Sequence, residues 1–136
     1  MIQQDYFIRV IREFFEALAR AMSKPTPEDK SKAVHSLYEQ YLGSYEFYQN
    51  ATAEDAVNHI ASIYPEEQHL QRLEMLAELY YAEADLRVTP IGQTLMERAL
   101  QLFSHIDSHS NTYSITRMQK IDAIRHRLGL LSGNTI

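Results

Sequence analysis

The chain has no cysteine, and its 136 residues include only four glycines and four prolines. Without cysteine there is no disulfide, no thiolate metal site and no cysteine nucleophile. That absence fits a reducing compartment. Positive charge is also short: 13 Lys and Arg stand against 18 Asp and Glu, a net charge of −5. An acidic balance disfavours nucleic acid as the main partner. No apolar run approaches the ~20 residues of a membrane span. The start, MIQQDYF, lacks a basic segment followed by an unbroken apolar stretch, so it does not read as a signal peptide. No G-x-S-x-G elbow and no glycine-rich phosphate loop occur. No stretch alternates with period two for long enough to make a strand.

What is present is helical periodicity. The hydrophobic fraction of 45% is ordinary for a globular chain. Residues 1–136 suit a single helical domain that buries roughly two-thirds of its unfolded surface. The organising stretch is DYFIRVIREFFEALARAM, residues 5–22. At ~100° per residue, Arg9, Arg12, Glu13, Glu16 and Arg20 share one arc. The remaining arc is apolar or small and covers roughly 220°, about twice the usual surface-helix stripe. This predicts a helix covered on two sides, by later helices or by a second chain. Its polar face mixes both charge signs, which argues against a helix lying on a membrane.

The few Gly and Pro act as punctuation. SKPT ends the first helix. Thr26 reads as an N-cap, Pro27 as the first helical residue, and Glu28 and Asp29 complement the dipole. The second helix is predicted over 27–42, stopped by Gly43. SYEFYQN reads as a polar, aromatic connection. Thr52 with Asp55 resembles a capping box, which starts a third helix over 53–62. A fourth is predicted over 66–87, with Leu70, Leu73, Leu76, Ala77, Tyr80 and Ala84 as its apolar stripe. Thr89 and Pro90 mark a fifth, over 90–106. Ser114 opens a sixth, over 114–128, carrying Ile115, Met118, Ile121, Ile124 and Leu128. Gly129 stops it, and LLSGNTI is expected to fray. The predicted fold is all-α, about six helices in an antiparallel hairpin array or bundle.

Two resemblances extend this reading. The helices over 66–87 and 90–106 resemble a tetratricopeptide repeat. Leu73, Leu76, Ala77 and Tyr80 match its first helix, and Gly92, Met96 and Ala99 its second. Leu and Met stand where that repeat usually has aromatic residues, and no Pro closes the unit. IQQDYFIRVIREFFEALAR also resembles the opening of a family of short, uncharacterised bacterial proteins, which begin with a similar N/Q-Q-D-Y segment. TAEDAVNHI, LEMLAELYYAEA and SITRMQKIDAI are similar to later segments of that family. The resemblance implies a cytoplasmic, tetratricopeptide-like helical domain. It brings no activity, no catalytic residue and no cofactor.

Candidate chemistry is sparse. Glu66-x-x-His69 has the i, i+3 spacing of a di-iron helix, but a di-iron bundle needs two such motifs and two more Glu. His105, Asp107 and His109 could approach one metal, yet His near a helix C-terminus is favourable without any. Asp55 with His59 and Asp122 with His126 read as i, i+4 surface pairs. Residues 66–87 are rich in acids and residues 114–128 in bases, as two solvated faces that attract weakly.

The tyrosines offer a different kind of site. Val34, Leu37, Tyr38, Tyr41, Tyr45 and Tyr48 share one face if helical spacing continues past Gly43. Each buried hydroxyl needs a partner, so some are expected to reach water. Tyr38 is expected in the core, and Tyr45 and Tyr48 at the edge of a partner surface. The expected role is a non-enzymatic protein- or peptide-binding module. The alternative is a subunit that assembles through its first helix, and a small metal-binding or hydrolytic protein comes third.

Overall fold

In a computed structural model that describes the backbone of residues 2–129 and the side chains of residues 5–129, cap chemistry sets most helix boundaries. The first helix, α1 (Ile2–Met22), is followed by α2 (Pro27–Tyr41). Thr26 accepts the Asp29 amide at 3.0 Å, satisfying one orphan donor. Gly43 takes φ +117°, a conformation that suits glycine, and its amide donates to Tyr38 O at 2.9 Å.

The chain then re-enters a helix at once. Ser44 caps α3 (Tyr45–Asn50). A side chain on α2 assists from outside: Glu39 Oε2 accepts the Tyr45 amide at 2.8 Å. SYEFYQN is therefore mostly helix, not a connection. Next come α4 (Ala53–Ile63), with both halves of the Thr52–Asp55 capping box formed, and a 3₁₀ turn over Glu66–Gln68 that leads into α5 (His69–Ala84). α6 (Ile91–His109) lacks a side-chain cap, so Thr89 does not play the expected role. α7 (Ile115–Arg127) starts where Ser114 accepts the Arg117 amide at 3.1 Å. Among the described residues the fold is all-α, with seven α-helices in place of about six. The expected fraying of LLSGNTI lies outside the described residues.

The central helix is α5, not α1. Leu73, Met75, Leu76, Ala77, Leu79, Tyr80 and Ala82 are all buried, and so are Glu78 and Glu83. α5 packs most extensively on α6, and also on α2, α4 and α1. α7 leans on α6, burying Ile121 and Ile124. Ile115 is exposed, against expectation. α1 buries one narrow face, Phe7, Phe14, Leu18 and Ala21, against α2 and α5.

The α5–α6 hairpin is close because its contact residues are small. Ala77 and Ala99 have no exposed surface. A Cβ on Gly92 would lie 2.8 Å from Arg87 O and 2.9 Å from Ala84 O. Both are backbone atoms, so the helices must part to admit a methyl group. Gly92→Ala is expected to cost about 1–3 kcal/mol in urea unfolding. A change below ~0.5 kcal/mol would show that the turn has slack.

Candidate functional site

The most elaborate polar arrangement centres on Glu83, which is 4% exposed. Oε1 accepts from Tyr38 Oη at 2.8 Å and Gln49 Nε2 at 2.9 Å. Oε2 accepts from Tyr45 Oη at 2.5 Å and Arg87 Nη1 at 2.9 Å. One carboxylate on α5 thus ties α2, α3 and the turn after α5. Burial pushes Tyr38 well above the ordinary tyrosine value, with Glu83 adding to it. Burial and then the Glu83 bond push Tyr45 up to about 12.

The other buried tyrosines serve helix ends. The last carbonyls of a helix have no intrahelical partner. Here tyrosine and arginine supply the donors. Tyr48 Oη donates to Leu42 O at 3.0 Å, and Tyr80 Oη to Tyr48 O at 2.6 Å. Arg98 Nη1 donates to Gln49 O at 2.8 Å. Tyr41 O accepts from Arg72 Nη1 at 2.6 Å and Tyr64 Oη at 3.2 Å. The Arg72 guanidinium lies between the rings of Phe7 and Tyr64, 4.9 and 4.2 Å from their centroids.

This corrects the expected tyrosine edge. Tyr48 is 0% exposed and is core. Tyr45 is half-buried. Its hydroxyl is engaged by Glu83, and its ring stacks on His35 at 3.8 Å. The hydroxyls needed partners, as reasoned, but found them inside the fold.

The metal candidates do not converge. Asp107 Oδ1 accepts from Arg117 Nη2 at 3.1 Å. His109 Nδ1 faces His105 O at 2.8 Å, and the two rings stack at 4.0 Å. Burial, then His109, lowers the pKa of His105. His69 Nε2 faces Tyr64 O at 2.7 Å. His59 lies 4.3 Å from the Phe47 ring centroid. Among the described residues no group of three His, Asp or Glu is placed to hold a metal ion.

Arg117 and Lys120 of α7 turn inward, while Arg127 pairs at the surface. Lys120 Nζ donates to Glu78 at 2.5 and 2.7 Å. Arg127 Nη1 lies 2.8 Å from Asp85 Oδ1. With Arg117 held by Asp107, these three cations are occupied within the chain. Burial, then Glu78, raises the pKa of Glu74.

Glu83 is poorly suited to acid–base chemistry. Its oxygens already accept four hydrogen bonds, and it does not line the four most prominent clefts. Those clefts are open depressions. The one nearest to an anion site, about 290 Å³ beside Arg87, Gln93 and Arg127, has both arginines already paired.

The remaining feature is an apolar surface on α1. Ile8 is 50% and Phe15 37% exposed, and Ile11 and Met22 are partly exposed. With Ala19 they fall within roughly 80° on the helix. Ile63, Val88, Ile91, Tyr113 and Ile115 are exposed too, but they lie in loops or at helix ends. The wide apolar arc of residues 5–22 was the signal for this face. Among the described residues no helix is long and apolar enough to cross a membrane. Comparison with protein-family models, curated proteins and solved structures finds no match.

Proposed function

We propose that this chain is a non-enzymatic protein-binding helical module of the cytoplasm. α5 and α6 would form a tetratricopeptide-like pair at its centre, and α1 would present the binding face. The observation that carries the reading is Ile8 and Phe15, exposed on one face of α1, beside Ile11 and Met22, which rest partly on the core. A helix of a monomer ordinarily turns such residues inward. An apolar patch that continues past the core edge onto the exposed face fits an interaction site. The tetratricopeptide-like geometry draws support from buried Leu73, Leu76, Ala77 and Tyr80 on α5, facing Gly92, Met96 and Ala99 on α6. The short connection makes the two helices antiparallel neighbours.

The test is affinity capture from the source cells with tagged wild-type protein and the variant Ile8→Glu/Phe15→Glu. Ile8 is half exposed, so Ile8→Glu alone should change stability by less than about 1 kcal/mol; Phe15 touches Phe14, so helical circular dichroism of the double variant is compared with the wild type first. A partner held by the wild type is expected to be lost from the variant. Equal recovery by both proteins would refute α1 as the binding face.

A further inference from the structure

We infer that α1 binds α1 of a second copy of this chain, antiparallel, about a two-fold axis perpendicular to the helix near Phe15. This rests on the reading of α1 as the binding face and names its occupant.

The strip runs Ile8, Ile11, Phe15, Ala19, Met22, in steps of three and four along one face; Ile8, Phe15 and Ala19 are exposed, and Ile11 and Met22 rest partly on the chain's own core and offer their outer edges. About Phe15 it places bulky Ile8 opposite bulky Met22 and bulky Ile11 opposite small Ala19. Turned end over end, the ridge sets Ile8 against the partner's Met22 and Phe15 against the partner's Phe15. Ile11 then meets the partner's Ala19, where the small side chain leaves room. A two-fold interface must be complementary to itself, and this ridge is.

Charge selects the same arrangement. The row bordering the ridge on its outer side holds Arg12 and Glu16, one turn apart. Among the described residues neither makes an ion pair. An antiparallel two-fold brings outer border to outer border. At ~1.5 Å per residue, Arg12 comes level with the partner's Glu16 to within about 3 Å along the axis, and the contact occurs twice. A parallel copy would instead set the Arg12 row beside the partner's core-facing edge. The ridge is short, so the buried area lies below that of a standard stable interface. The expected dissociation constant is on the order of 1–100 µM.

The experiment is sedimentation equilibrium of the full chain from about 1 to 300 µM. The mass is expected to rise from one chain toward two. Ile8→Glu/Phe15→Glu should stay at one chain with unchanged helical circular dichroism. Because Phe15 also touches Phe14 (5.2 Å between ring centroids), Ile8→Glu alone serves if the double variant folds poorly. Arg12→Glu and Glu16→Arg should each weaken self-association roughly tenfold. Mixed together, those two variants should associate as well as the wild type, because each supplies the charge that the other reversed. A wild type of one-chain mass at the highest concentration would overturn the proposal. So would a mixture no tighter than its components, or a dimer indifferent to Ile8→Glu. If the purified chain is monomeric yet captures another protein through Ile8 and Phe15, the second copy is excluded and the binding-module reading stands. If both fail, both are wrong.

Discussion

Replacing Glu83 by Ala is expected to lower folding stability by about 3–5 kcal/mol, the range for breaking a buried charged contact on one side. The Tyr38 hydroxyl loses the acceptor it holds at 2.8 Å. Its ring is 0% exposed, so water cannot replace that acceptor. An orphaned buried hydroxyl alone costs about 1–3 kcal/mol. The loss of the bonds from Tyr45, Gln49 and Arg87 and the space left behind account for the rest. Arg87 and Tyr45 can recover some hydration, because neither is fully buried. Glu83→Gln keeps the shape but turns one oxygen into a donor facing donors, so a smaller loss of about 1–3 kcal/mol is expected. In a Tyr38→Phe background the Ala substitution should cost less, with a coupling of about 0.5–3 kcal/mol in a double-mutant cycle. Urea unfolding of the four proteins measures all of this. A loss under ~1 kcal/mol for Glu83→Ala, or no coupling to Tyr38, would show that α2, α3 and α5 do not depend on this carboxylate.

The same carboxylate explains why α5 was hard to recognise in the sequence as the central helix. Its run HLQRLEMLAELYYAEA carries three acids, and acids ordinarily mark a solvated face. Two of them, Glu78 and Glu83, are buried because their partners arrive from far along the chain, Lys120 and Tyr38. Local pattern cannot reveal a partner that the fold delivers. By contrast, Thr26, Gly43, Thr52 with Asp55, and Ser114 act through backbone groups within a few residues. Those boundaries were legible. α3 shows the limit between the two cases. Its Ser44 cap is local, but six residues make a marginal helix. The acceptor for its first amide is Glu39, on another helix. The width of the α1 apolar arc was also legible. What it could not disclose was that the chain's own helices cover one edge and leave Ile8 and Phe15 open. Tyr48 was misplaced at an edge for a similar reason. The acceptors of Tyr48 and Tyr80 are carbonyls at helix ends, and only the assembled fold shows which hydroxyl reaches which carbonyl.

Those hydroxyls make the chain sensitive to alkali. Burial raises Tyr38 and Tyr48 above the ordinary tyrosine range. It pushes Tyr45 and Tyr80 up to about 12. The unfolded chain loses these protons near pH ~10, the ordinary tyrosine value, while the folded chain retains them. Above that pH the unfolded state binds fewer protons, so stability falls as pH rises. The contribution is complete below about pH 10 and is lost on the way to about 12 and beyond. Each fully retained proton removes about 1.4 kcal/mol per pH unit. Tyr38, Tyr48 and Tyr80, all 0% exposed, together give about 4 kcal/mol per unit; half-buried Tyr45 adds less because solvent screens it. With a stability in the lower half of the usual ~5–15 kcal/mol, the chain is expected to unfold between about pH 11 and 12. Tyrosinate absorbance and circular dichroism at fixed temperature provide the test. Tyr38, Tyr45, Tyr48 and Tyr80 should ionise in one cooperative step with loss of the helical signal. Tyr80→Phe should lower the slope by about 1 kcal/mol per pH unit, measured as urea stability between about pH 10 and 11. If Tyr38, Tyr45, Tyr48 and Tyr80 ionise near pH ~10 while the helices persist, the hydroxyls are not held as the fold describes, and the network that joins α2, α3, α5 and α6 is not what stabilises it.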